Sequence, residues 1–228
     1  MKVSPNAAGL NPIKVTQEDL DGICSAILST PVGAGRRARL VAISGIDASG
    51  KGYISSRIEK QLTSRGARVA LIGIDGWLNL PATRFADRDR GAHFYRHAFR
   101  FTEMLERLVD PLVRDGSVDC VADFTDETAS AYRKHRYRFH DVDTVLLEGI
   151  FLLRRDLQSR YDLRVWVECS FEAALERAIA RSQEGFSKEE TIHAYEDIYF
   201  PAQRVHFDED QPQSVADIVF DNEANQQA

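Results

Sequence analysis

Seven consecutive residues, Gly45, Ile46, Asp47, Ala48, Ser49, Gly50 and Lys51, carry the spacing G-x-x-x-x-G-K. An apolar run, RLVAISGI, leads into them and a helix-like stretch follows, which is the context a phosphate-binding loop requires. In such a loop successive main-chain N–H groups curl around phosphate oxygens. The helix N-terminus adds positive potential and the lysine reaches the terminal phosphates. The next position, where a Ser or Thr hydroxyl would bind Mg²⁺, is Gly52, and Tyr53 comes after it. The loop therefore predicts a magnesium held through carboxylates and waters, or by a hydroxyl nearby.

Two acids stand at the ends of strand-like runs. Asp75 closes VALIGID, and ligands of open α/β sheets lie outside the carboxyl ends of strands. A carboxylate there can take the proton of an attacking hydroxyl or bind a metal-bound water; its plainer role is to close a turn. Glu148 ends the run in TVLLEGI and fits a Walker-B acid that orients magnesium's water shell, against the alternative of a buried ion pair. Arg177 and Arg181 lie one helical turn apart, placed either to close over a transferring phosphoryl group or to pair with Glu172, Glu176 or Glu184 on a solvated face. Arg204 and His206 are expected beyond the following helix.

The elements that must position these groups can be read from the rest of the chain. Its 228 residues are 43% hydrophobic and 28% charged, a globular composition with length for one domain. A formal charge of −6 argues against nucleic acid as partner. Cys24, Cys120 and Cys169 are odd in number and lack metal spacing, so they read as reduced thiols. No apolar run approaches the ~20 residues that span a bilayer, and MKVSPNAAGLNP lacks the core of a signal peptide. A cytoplasmic protein without membrane partners is expected, and nothing excludes a homo-oligomer.

Residues 1–38 predict a loose arm and a short helix, with Thr16 as its cap and Leu20, Ile23, Ile27 and Leu28 on one face. Residues 39–222 alternate strands and helices: helix from Lys51 to Arg65, strand to Asp75, helix from about His93 to Arg114, then strands VDCVADF, TVLLEGI and LRVWVEC. A helix in FEAALERAIARS and a capping box Ser187-x-x-Glu190 opening another precede a last strand, ADIVFDN. Residues 223–228 form a tail. Near-continuous apolar strands between helices imply a mostly parallel sheet covered on both faces, and with the phosphate-type loop after its first strand the expected fold is a three-layer α/β/α P-loop NTPase fold. Tyr132, Tyr137 and Phe139 among Arg133, His135, Arg136 and Arg138 predict a short hairpin or flap near a ligand within Thr125–Asp143.

From about Arg39 to Asn222 the chain resembles the uridine kinase/phosphoribulokinase family of P-loop kinases, closest to its bacterial uridine-kinase-like branch. The segments that carry the resemblance are ISGIDASGKG, LIGIDGW, HFYRHAFRFTEMLERLVDPL, the run from VLLEGI to ERAIAR, and Tyr199-Phe-Pro201-Ala-Gln-Arg204 with ADIVFDN. The resemblance implies transfer of the γ-phosphate of ATP, with Mg²⁺, to a hydroxyl of a small acceptor, typically the 5′-OH of a pyrimidine nucleoside. By similarity Asp75 matches the catalytic Asp, Glu148 the acid near magnesium, and Arg177 with Arg181 the lid arginines. The nucleoside-reading positions depart from the family. Trp77 stands one place off the usual aromatic, Phe94 falls where an Asp reads the ribose, and Ala122-Asp123 replaces a Tyr-Asp pair. His135 and Arg136 match the polar flap loosely, and His93, His97 and Arg204 are further candidates for the acceptor pocket. Another small alcohol as acceptor, or a nucleotide-binding regulator without turnover, are the alternatives.

Overall fold

The computed structural model describes residues 13–15, 19–181 and 185–223. The expected Thr16 cap, the residues before Ile13, Glu184 and the tail beyond Glu223 lie outside the described residues. Among these, six strands form one sheet: β1 (Ile13–Val15), β2 (Arg39–Gly45), β3 (Val69–Gly73), β6 (Thr144–Glu148), β7 (Leu163–Glu168) and β8 (Ile218–Asp221). They run parallel in the order β1–β8–β7–β2–β6–β3.

Alternation along each strand divides the core in two. Leu40, Ala42, Val145, Leu147, Trp166 and Val219 face one side, packed with Phe94, Leu108, Phe151 and Ala174. Val41, Ile43, Leu146, Val165, Ile218 and Phe220 face the other. There they meet α1 (Leu20–Ser29) through Ile23, Cys24 and Ile27, and α2 (Lys51–Ser64) through Ile54, Ile58 and Leu62. The strands are apolar on both sides because helices cover both, giving three layers. All three cysteines are free, and burial pushes the Cys24 and Cys169 thiols up to about 11, so they stay protonated. Among the described residues no helix is long and apolar enough to cross a membrane.

Four stretches depart from the expected organisation, the first being β1, which stands where a loose arm was expected and pairs with β8. The strand VDCVADF leaves the sheet: as β4 (Val118–Phe124) it pairs antiparallel with β5 (Arg133–Phe139) in a separate hairpin. The helix expected from His93 to Arg114 is broken. A short α3 (Pro81–Arg84) precedes α4 (Arg90–His97), after which Phe99 bridges to Leu78 and Arg100 N donates to Trp77 O at 2.9 Å. The chain resumes as α5 (Phe101–Met104), a π-turn Leu105–Val109 and α6 (Asp110–Asp115).

Beyond α7 (Phe171–Arg181), Ser187 and Glu190 form the reciprocal capping box that opens α8 (Lys188–Ala194). That helix does not end before Arg204 as expected. It passes through a π-turn, Tyr195–Tyr199, into α9 (Phe200–Asp210), so Arg204 and His206 lie within a helix and not after one. A short α10 (Pro212–Val215) leads to β8. Each π-turn stands two residues before a proline, Pro111 and Pro201. Proline lacks the N–H for the regular i→i−4 bond and crowds the carbonyl of that turn, and the helix widens there instead of breaking.

Candidate active site

The order β2–β6–β3 places three strand ends side by side, each carrying one element of the site. β2 delivers Gly45 and the loop into α2. β6 ends on Glu148, in register with Ile43 of β2 and Gly73 of β3. β3 runs into a 3₁₀ turn, Ile74–Trp77, that holds Asp75. The chain moves from β2 outward to β3 and returns through β6 between them, so the loop and both acids share one end of the sheet.

The loop is shaped by its own geometry and by β8. Gly50 sits at φ +88°, a left-handed conformation that a side chain strains, and a Cβ there would stand 2.5 Å from Asn222 Nδ2. Asn222 Nδ2 donates to Ser49 O at 2.7 Å, tying the loop to the end of the last strand. Arg177 braces the same region: Nη1 donates to Ser49 O at 3.3 Å and Cys169 Sγ at 3.0 Å, and Nη2 to Asn222 O at 2.7 Å. Lys51 Nζ donates to Ile46 O at 3.3 Å.

A cavity of about 370 Å³ opens at this end of the sheet. Its lining takes Asp47, Ala48, Gly50, Lys51, Gly52 and Tyr53 from the loop and the start of α2, Arg177 and Arg181 from α7, and Asp75 and Glu148 from the ends of β3 and β6. Gly45, Ile46 and Ser49 are buried and outside the lining. Asp75 is exposed to the cavity, yet the protein packed around its carboxyl displaces part of its water, and this desolvation raises its pKa. Lys51 pulls it back and Asp47 adds to the rise. Glu148 is raised for the same first reason, with Lys51 opposing and Asp75 reinforcing. For both acids the charged form is thus disfavoured relative to a free carboxyl, although Asp75 is exposed and Glu148 half-buried. A Cβ on Gly52 would meet only Glu148 Oε2, at 3.9 Å, so the missing hydroxyl leaves open room beside that carboxylate.

The rest of the lining is a wall of Leu78, Phe94, Phe99, Ile150 and Tyr199, with Arg84 and Glu127 as its polar members. Arg84 is only 3% exposed; Nη1 donates to Asn79 O at 3.0 Å and Nη2 to Glu127 O. Of the acceptor candidates read from the sequence, Phe94 is in this wall and the others lie elsewhere. Trp77 is 0% exposed and stacks on Tyr137 at 5.5 Å between centroids. His93 is held to Thr83 O at 2.8 Å, with the His97 ring 4.4 Å away and exposed. Asp123 pairs with Lys134 at 2.8 Å, and Arg136 with Asp119 at 2.7 Å, both outside the cavity. His135 packs between Phe124 and Tyr137 within the hairpin, and Arg204 lies exposed over Phe171.

These placements have a common cause. The hairpin folds over the turn that carries Asp75, so its aromatic face is spent on that turn. Phe124 covers Gly76, and Tyr137 covers Trp77. Arg100, which the sequence reading passed over, locks the arrangement. Its guanidinium lies over Trp77 and Tyr132 and donates to Asp123 O at 2.7 Å and Leu78 O at 3.3 Å. The hairpin reaches the cavity through its connecting loop, by Glu127. Phe99 and Tyr199 fall in segments already notable in the sequence, HAFRF and Tyr199-Phe-Pro201; Arg84 gave no local signal.

No protein-family model and no curated protein matches the chain. Solved structures do. A protein described as a possible uridine kinase from Bacillus stearothermophilus superposes with a TM-score of 0.69 and 19% identity, over 90% of this chain and 98% of its own. A candidate fructose transport system kinase from a Silicibacter species gives 0.69 and 19%, over 88% and 98%. D-glycerate 3-kinase from Cryptococcus neoformans gives 0.59 and 10%, over 89% and 95%. Identities this low show the fold: the chain has the α/β architecture of P-loop kinases.

Proposed function

We propose that the protein transfers the γ-phosphoryl group of ATP to a hydroxyl of a small acceptor bound against the aromatic lining of the cavity. The observation that carries this reading is one cavity whose lining joins a phosphate-type loop with Lys51, the carboxylates Asp75 and Glu148, and a set of aromatic and aliphatic side chains. Phosphoryl transfer has a loose transition state, so catalysis is chiefly positioning and neutralisation of spreading charge. The loop amides and Lys51 hold the donor's phosphates. Asp75, raised in pKa by partial desolvation, is a better proton acceptor than a fully solvated carboxylate and orients the attacking hydroxyl. Arg181 and Arg177 bring positive charge to the same cavity.

The site's oxygen donors fit Mg²⁺ of the nucleotide-borne kind. Among the described residues no cluster of three or more His, Cys, Asp or Glu forms a metal cage. Mg²⁺ bound by one or two carboxylates together with substrate phosphates needs none. Glu148 and Asp75 would hold it, and it would neutralise phosphate charge.

Two acceptor classes follow from the aromatic wall. The flat faces of Phe94, Phe99 and Tyr199 suit a nucleoside, in line with the structural neighbour described as a possible uridine kinase. A hydroxy acid is the second reading, favoured by the buried guanidinium of Arg84 in that wall. A coupled ADP-release assay across pyrimidine nucleosides, sugar acids and simple alcohols separates them. ATP binding without acceptor-dependent ADP release on any of these would instead support a regulator. Absence of ATP binding would remove both readings.

A further inference from the structure

Asp47 places a negative charge inside a loop built for an anionic ligand. Both of its oxygens are engaged by protein donors. Oδ1 accepts from the Ala48 N–H at 2.8 Å, and Oδ2 accepts from the Tyr195 hydroxyl at 2.7 Å. Arg181 Nη2 stands 4.0 Å from Oδ1. Tyr195 is 3% exposed and opens the π-turn of the α8–α9 helix. At the end of that turn Tyr199 enters the cavity wall. The Tyr195 and Tyr199 rings meet edge to face at 5.2 Å, and Tyr199 meets Phe94 of α4 in the same manner at 5.2 Å. An unbroken series of contacts therefore runs from the loop to the acceptor wall.

We propose that Tyr195 is a positioning residue: its hydroxyl fixes the Asp47 carboxylate and, through the π-turn, couples donor binding to the wall that receives the acceptor. The inference rests on the kinase reading and adds a residue to it. A phenylalanine would serve the packing at 195 equally well, since the neighbours are the rings of Tyr199 and Phe200. The hydroxyl is what the contact with Asp47 requires. A carboxylate held by Tyr195 and by its own loop's amide keeps one rotamer. Released, it is free to turn toward an incoming phosphate and oppose it. A π-turn is a local departure from regular helix of the kind that often accompanies functional sites.

The test uses the full chain, Mg²⁺ and ATP with no acceptor. Titration calorimetry gives the ATP Kd of wild type, Tyr195→Phe, Asp47→Ala and the double variant, with the melting temperature of each measured ligand-free. Hydrogen exchange of the α4 amides is followed with and without saturating ATP. Tyr195→Phe is expected to raise the Kd at least fivefold with an unchanged ligand-free melting temperature. In the Asp47→Ala background the same change is expected to shift the Kd less than twofold, since one interaction is lost only once. ATP is expected to slow α4 exchange in wild type and to leave it unchanged in Tyr195→Phe. A Kd within twofold of wild type, additive effects in the double variant, or α4 exchange that responds to ATP alike in both proteins or in neither overturns the proposal. Failure of the wild type itself to bind ATP removes the kinase reading instead, and the two failures are told apart by that first titration.

Discussion

In the proposed reaction Lys51 would touch the donor's phosphates in ground and transition states alike, whereas Asp75 would act only as the acceptor hydroxyl loses its proton. Lys51→Ala is therefore expected to weaken ATP binding and turnover together. Asp75→Asn keeps shape and removes a charge that desolvation disfavours, so ATP affinity should hold and the melting temperature should hold or rise, while kcat falls by roughly 10²-fold or more. An Asp75 that merely closed its turn would show the reverse, a lower melting temperature with normal specific activity in the folded fraction. Gly52 gives a second contrast. Its Cβ direction is open apart from Glu148 Oε2 at 3.9 Å, so Gly52→Ser should leave Mg²⁺ dependence unchanged or improved. Glu148→Gln should weaken it tenfold or more, about 1.4 kcal/mol, as read from the Mg²⁺ concentration needed for half-maximal ATP binding. The loop and both acids were legible in the sequence because each is a short pattern at a strand end. Tyr195 was not, because it lies 148 residues from Asp47 and meets it only through the fold.

Elements defined by near neighbours in sequence were legible in the same way, and those defined by distant partners were not. The capping box at Ser187 and Glu190 needs four residues, and both of its hydrogen bonds are present. Its loss should be correspondingly local. Ser187→Ala is expected to cost about 1 kcal/mol and to lower the melting temperature by about 2–4 °C, with faster amide exchange confined to the first turn of α8. The break between α4 and α5 has no such signature, since it is imposed by the bridge from Phe99 to Leu78. The second strand of the hairpin did carry a signal, its aromatic and basic run from Arg133 to Phe139, but the first did not. Asp119 and Asp123 stand four apart in VDCVADF, and so do Arg164 and Glu168 in the sheet strand LRVWVE. Which partner VDCVADF would take was beyond a local reading, and the acceptor candidates assigned on and beside the hairpin moved away from the cavity with it.

Across the whole molecule the site and the body of the fold respond to pH in opposite senses. His206 is buried against Asp210 on α9, with Tyr95 of α4 donating to the same carboxylate and Arg155 N at 2.8 Å. Burial lowers the pKa of His206, so the unfolded chain binds the proton more readily and stability is lost as pH falls below the ordinary histidine range. For Asp210 burial acts upward, but the bonds from His206 and Tyr95 outweigh it and bring the pKa down, which adds to the loss in acid. Asp75 and Glu148 work the other way. Their carboxyls are raised above the unfolded values, so the folded state binds protons more readily, and stability is lost as pH rises through the folded values. The apo protein at neutral pH thus holds two acids that its own fold disfavours, a cost typical of sites arranged for a ligand. Glu148→Gln removes one of them without changing the side chain's shape. The variant is expected to melt higher than wild type at neutral pH, with the gain shrinking as the pH falls toward the ordinary carboxylate range, where wild-type Glu148 is itself protonated. Melting curves of both proteins across that range, without nucleotide or metal, measure it. A Glu148→Gln variant less stable than wild type at neutral pH would show that the acid is held by favourable partners in the folded protein, and that the strain assigned to this end of the sheet is absent.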